Sequence, residues 1–300
     1  MIRFMRLRLV YFVLSSLIIL SGVYAFLRWG VNISIDFTGG SVLQIGINQN
    51  YRKQISTDKL KQVAESVGIQ SIQVHQLENG DYLIKSKPFD QEKNTLFQQK
   101  LASSSGVATV SAFLSEKKFE TLGPTFGAET LKKTISAISL AALVILLFVW
   151  KEFKDRKYGV SAILAMFHDT LITFSVYVWA SHLYGAEIDT LFMTALLTIL
   201  SFSVHDTIVV YDRIRESKKN LPGVKYENLV DKALNETMGR SVNNSLTIIF
   251  MLMVLFLMGG ETIKWFVFTL LVGTISGTYS SPFIASPLLL VWDQLFIKKR

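Results

Sequence analysis

The sequence predicts a membrane α-helical protein of six spanning helices that carries one small extracytoplasmic α+β domain of ferredoxin-like βαββαβ order. Three observations support this. Six apolar runs each approach or exceed the about 20 residues needed to cross a hydrocarbon core. Between the first and second runs lies a polar stretch, residues 28–121, in which the apolar period changes. Lys and Arg bracket the runs instead of gathering in one patch, although the 300-residue chain, 50% hydrophobic, carries a net charge of +8. That distribution argues for a membrane protein with basic loops and against a nucleic-acid-binding domain. The absence of cysteine excludes disulfides, thiolate metal sites and cysteine nucleophiles. The four histidines show no metal-ligand spacing, so the expectation is neither an enzyme nor a cofactor protein.

The first segment, residues 1–30, places Arg3, Arg6 and Arg8 before an uncharged run over 9–27. Val23-Tyr24-Ala25 faintly resembles a cleavage site, but the run exceeds the about 7–15 residues of a signal core and reads as an uncleaved helix.

Residues 31–122 form the expected outer domain. Residues 42–47 read as a strand, and 57–67 as an amphipathic helix stopped by Gly68. Residues 69–77 alternate, Asn79-Gly80 is a hairpin turn, and 81–85 return. Asp90 caps a second helix to about residue 102, and 107–114 are expected to close the sheet as a fourth strand. Such a sheet carries both helices on one face and leaves the other wet. At its entry stands Asp36-Phe37-Thr38-Gly39-Gly40, where no helix or Lys-Ser pair completes a phosphate loop, so a backbone-permissive hinge is expected. Gly123 and Pro124 mark the exit.

The third segment, residues 123–300, holds five further runs: 131–150, 158–182, 191–211, 241–258 and 265–295. Residues 212–240 are expected to be a cytoplasmic loop. The last run is longer than a span requires and is expected to tilt or bend at Pro282 and Pro287. Lys and Arg are abundant in the N-terminus, 151–157, 213–240 and 298–300, absent from 181–189 and single in 259–264. The excess of basic residues on cytoplasmic loops then puts both termini inside and the large domain outside. In the last run Thr269, Gly273, Gly277, Ser281 and Ala285 recur every four residues, a spacing that lets another helix approach closely.

Asp206 lies inside an apolar run, where a charge costs roughly 2.5–3.5 kcal/mol near the helix centre. It is therefore a functional candidate, and Arg240, opening the next run, is its expected counter-charge. His205 ends a stripe formed by Thr194, Thr198 and Ser201, and the expectation is a hydrated proton path. His168-Asp169 repeats the His-Asp phrase one helix earlier. Neighbouring residues project about 100° apart, so neither pair suits a metal. For Asp169 a structural tie between helices competes with a proton role.

The stretch Ser203-Val204-His205-Asp206-Thr207-Ile208-Val209-Val210-Tyr211-Asp212-Arg213 resembles the signature of the SecF family of bacterial protein-export subunits. Asp36-Phe37-Thr38-Gly39-Gly40, Leu122-Gly123-Pro124 and Gly273-Thr274-Ile275-Ser276-Gly277-Thr278-Tyr279-Ser280-Ser281 resemble further elements of that family at matching places. The family has Asn where this chain has His205. The resemblance implies half of an RND-type transporter in the bacterial inner membrane. Its implied partners are SecD, the SecYEG channel, YajC, YidC and a translocating preprotein, with protons as coupling ion. Two alternatives are half of a small-molecule or lipid exporter of that superfamily and a passive membrane scaffold.

Overall fold

The computed structural model describes residues 2–77, 80–152 and 155–297, and these fall into two compact units. One combines residues 1–32 with 135–300; the other is residues 33–134.

The smaller unit follows the two-residue strand β1 (Asn32–Ile33) with a single turn, α2 (Ile35–Thr38), since α1 (Arg8–Trp29) belongs to the other unit. Ser34 caps that turn by accepting from the Asp36 amide at 3.4 Å. The chain then runs β2 (Gly40–Ile47), α3 (Thr57–Ser66), β3 (Gln73–Gln76), β4 (Tyr82–Ser86), α4 (Gln91–Ser103), α5 (Val110–Phe113) and β5 (Leu114–Leu122). Both long helices start on side-chain caps: Ser56 accepts from Lys59 N at 3.2 Å, and Asp90 from Lys93 N at 2.9 Å. The strands pair antiparallel in the order β3-β4-β2-β5. Alternation sends Leu43, Ile45 and Ile47 of β2 into one apolar cluster with Leu60 of α3 and Phe97 and Leu101 of α4. The expected Asn79-Gly80 turn lies partly outside the described residues; Gly80 itself has φ of 81°.

The fourth strand corrects the sequence expectation. Residues 110–113 form a helical turn that drops Phe113 into the core, and β5 follows it over Leu114–Leu122. β5 sits at the sheet edge, beside β2, with Leu114 opposite Ile47 and Leu122 opposite Gly40. A bulge at Gln44/Ile45 shifts its register. Charged edge residues such as Lys117 and Lys118 suit an exposed edge, where they oppose sheet extension, but they hide the strand from a hydropathy pattern.

Among the described residues, six helices are long and apolar enough to cross a membrane. They are α1 (Arg8–Trp29), preceded by a 3₁₀ turn, α6 (Pro124–Glu152), α7 (Arg156–Tyr184), α8 (Thr190–Asn220), α9 (Tyr226–Met258), and a final composite span. A two-residue strand, β6 (Glu187–Ile188), lies between α7 and α8. The composite span begins with α10 (Glu261–Ser280) and continues through a π-helical turn (Ser281–Ala285), α11 (Ser286–Trp292) and a second π-turn (Asp293–Ile297). Pro282 supplies no amide to a carbonyl one turn back, and the backbone takes up the mismatch by widening.

The expected loop over 212–240 is mostly helix. α8 runs on to Asn220, α9 begins at Tyr226, and only residues 221–225 link them. Ile214 from one extension and Val230, Ala233 and Leu234 from the other bury against Met5, Tyr158 and Tyr211. Arg213 Nε donates to Glu236 Oε2 at 2.7 Å, tying the two together. Nearby, Lys157 is 1% exposed, paired with Asp293 at 2.9 Å and lying 4.4 Å from the Tyr226 ring centre.

Candidate functional site

α8 is fixed at its start by Asp189, whose carboxylate accepts from the Phe192 amide at 2.7 Å. Four turns later the helix carries Asp206 into the bundle, 8% exposed. Its Oδ1 accepts from Ser241 Oγ of α9 at 2.7 Å. Its Oδ2 is buried and has no hydrogen-bond partner among the described residues. The carboxyl is thus hydrogen-bonded at one oxygen, while burial takes the other out of bulk water, which penalises its charge.

The expected Asp206–Arg240 ion pair is not formed in this structure. Arg240 is exposed and makes no ion pair among the described residues. The reason is helical geometry: Ser241 points into the bundle, so its neighbour, turned by about 100°, points out. The same rotation separates His205 from Asp206. His205, Thr194, Thr198 and Ser201 are all exposed, so the polar stripe lies on the outer surface of α8 and not along an interior path. His205, Ser201 and Ile208 border an open groove of about 570 Å³ whose other wall is Val144, Phe148 and Glu152 of α6.

Asp169 of α7 stands at the centre of a second polar cluster and is 1% exposed. Its Oδ2 accepts from Ser203 Oγ of α8 at 2.5 Å and Ser280 Oγ of α10 at 2.6 Å. Its Oδ1 accepts from Ser276 Oγ of α10 at 2.7 Å and lies 3.1 Å from His168 Nδ1. One residue beyond Ser280, Ser281 Oγ meets Thr207 Oγ1 at 3.0 Å, beside Asp206.

The small residues of α10 lie against α8. A β-carbon at Gly273 would overlap the Ile199 side chain, and one at Gly277 would come 3.2 Å from the Phe202 ring. Thr269, Ser281 and Ala285 are fully buried. In the smaller unit, Asp36, Phe37 and Thr38 form most of α2, and Phe37 is 5% exposed. Thr38 Oγ1 donates to Ser34 O at 3.1 Å. Gly39 and Gly40 follow with φ of 70° and 141°. A β-carbon on Gly39 would stand 2.6 Å from Cα of Pro124, the first residue of α6 after Gly123, so the two motifs form one tightly packed joint.

The sequence reading gave no site role to Ser203, Ser241, Ser276 and Ser280. Their signal was available: Ser276 and Ser280 are spaced by one helical turn within an apolar run, and Ser241 adjoins the charge that drew attention to Arg240.

The family described as protein export membrane protein SecD/SecF, C-terminal, matches residues 103–295. The protein translocase subunit SecF of Thermobaculum terrenum is 40% identical over 98% of this chain and 94% of its own length. The corresponding SecF of Anaerolinea thermophila is 34% identical over 95% and 92%. The crystal structure of SecDF from Thermus thermophilus, a translocon-associated membrane protein, superposes with a TM-score of 0.83 at 29% identity. That match takes in 98% of this chain and 39% of that one.

Proposed function

The chain belongs to the SecD/SecF family of protein-export membrane proteins, and from that premise we propose that it is a proton-driven accessory subunit of the Sec translocase. It pairs with SecD, acts with the SecYEG channel, and draws on the proton motive force to assist late export of a preprotein. YajC and YidC are further candidate partners. Protons are the coupling ion, with no cofactor, and the chain is not an enzyme. Its larger unit resides in the bacterial inner membrane with both termini cytoplasmic, and its smaller unit is a periplasmic ferredoxin-like domain.

One observation carries this proposal: a carboxyl buried in a membrane helix with Ser241 on one oxygen and no partner on the other among the described residues. A charge on such a group is costly, and relieving that cost asks for a rearranged neighbourhood. Protonation is therefore coupled to helix packing. A charge crossing the membrane supplies about 2.3 kcal/mol per 100 mV, enough to bias a packing equilibrium. Arg240, at the turn beside Ser241, serves as a counter-charge in the rearranged state. The exposed stripe of Thr194, Thr198, Ser201 and His205 supports a second membrane protein covering this face, and SecD is the proposed occupant. The joint of Gly39, Gly40, Gly123 and Pro124 carries the movement to the outer domain.

Asp206→Asn keeps the side chain's shape and removes its titration. In vesicles holding a half-exported chain, the variant is expected to reach the wild-type membrane level yet release no more substrate with a proton gradient than without one. Gradient-dependent release at the wild-type rate rejects the proton role.

A further inference from the structure

The two buried acids of the bundle are bonded in opposite ways. Asp169 receives hydroxyls from two helices, Ser203 on α8 and Ser276 and Ser280 on α10, in addition to its contact with His168. An ionised carboxylate is acceptor-only, and three hydroxyls donate to this one. Protonation would turn one of its acceptor positions into a donor, so the three hydroxyls would lose an acceptor. Hydrogen bonds to an ionised acceptor are short and strong, and the three hydroxyl distances, 2.5, 2.7 and 2.6 Å, are of that kind. Asp206 has one such donor.

The two sites are joined by one step of backbone. Ser280 donates to Asp169; Ser281, the next residue, contacts Thr207 and lies within interaction range of the Asp206 carboxyl. At Ser281 the helix changes from α to π, and Ser286 Oγ donates to Ser281 O at 3.0 Å across the widened turn. Single π-turns inside helices recur at functional sites because the register there can change locally. Anchoring Ser280 therefore decides where the π-turn begins, and so where the Ser281 hydroxyl stands relative to Asp206.

We propose that Asp169 is a positioning residue: a fixed, ionised anchor that clamps α8 and α10 through Ser203, Ser276 and Ser280, and so places Ser281 and Thr207 against Asp206 without itself carrying the transported proton. This rests on Asp206 being the proton site. Among the described residues, the titratable groups near Asp206 are Asp169 of α7, itself in contact with His168, and His205 of α8; α9 brings Ser241 with Arg240 beside it, and the last span brings the hydroxyl of Ser281.

The test measures gradient-driven preprotein release against pH, at fixed membrane potential, for the full chain reconstituted with SecD and the channel. Asp169→Asn keeps the shape of the anchor and removes its charge. It is expected to retain a gradient response several-fold slower than wild type, with the pH profile displaced by about half a unit or more, because a lost neighbouring charge changes proton affinity at Asp206. Ser280→Ala, which leaves the carboxylate and two of its hydroxyl donors, guards against misfolding. It should slow release in the same way, and combined with Asp169→Asn it should add little. Complete loss of gradient response in Asp169→Asn at wild-type membrane level would make Asp169 a carrier and overturn the proposal. An unchanged rate and pH profile in both variants would overturn it equally. If instead Asp206→Asn still responds to the gradient, the proton assignment itself fails, a result separable from either outcome at Asp169.

Discussion

Lys85 of β4 shows how a single side chain in the smaller unit is tuned by its surroundings. It stands opposite Val42 in the register, and burial, followed by the nearby Lys118 charge, pushes its amine down from 10.5 to about 8. The folded chain thus holds this proton less tightly than the unfolded chain does. Below about pH 8 both states are charged and the full cost is present; between about 8 and 10.5 the folded state alone gives up its proton, so stability rises with pH. Lys85→Met keeps the aliphatic stem and removes the charge. At pH 7 it should stabilise the smaller unit by roughly 1–2 kcal/mol after allowing for solvent screening at a part-exposed site. Chemical unfolding of the detergent-solubilised protein, read from a fluorophore in the domain, measures this. The advantage over wild type should shrink as pH is raised through 8; a constant difference would assign the gain to packing alone.

At the scale of elements, the contact between α8 and α10 is set by what α10 lacks. Gly273 sits where any β-carbon would overlap Ile199, so the two helices approach to a distance that side chains normally forbid. In a membrane, close backbone approach replaces the hydrophobic effect as the source of helix association, and overpacking it costs about 1–3 kcal/mol. Gly273→Ala should therefore lower the thermal midpoint of the purified protein in detergent. Ile199→Ala, placed on top, should recover most of the loss by vacating the contested space, although alone it leaves a cavity. Failure of the second substitution to restore the first would show that the strain falls elsewhere. The same packing orders the polar cluster, because Ser276 and Ser280 belong to the turns that Gly273 and Gly277 bring close to Ser203.

For the molecule as a whole, charge asymmetry between loops predicts orientation, and the structure supplies probes. Tyr184, at the end of α7, is 74% exposed, and Lys218, near the end of α8, is exposed as well. The chain has no cysteine, so single substitutions report without background. In intact spheroplasts a membrane-impermeant maleimide should label Tyr184→Cys readily and Lys218→Cys only after permeabilisation. The reverse pattern would invert the expected topology and put the smaller unit in the cytoplasm.

The spans and the order of elements in the smaller unit were legible in the chain because each depends on a one-dimensional property. A bilayer demands about 20 apolar residues in succession, and a one-sided sheet demands alternation. Asp206 stood out for the same reason, since a charge at membrane depth is costly whatever surrounds it. Pairing and facing depend on three dimensions, and there the sequence ran out. The closing strand over Leu114–Leu122 is too charged to announce itself and exists because β2 offers it a partner. The segment over 212–240 looks like a loop by its charges, yet its few apolar residues bury against α1's lead-in turn and α7. Arg240 was the natural partner for Asp206 in a linear reading. Which of two neighbouring residues enters a bundle is decided by the rotation each helix adopts when packed, and that rotation gave the inward place to Ser241.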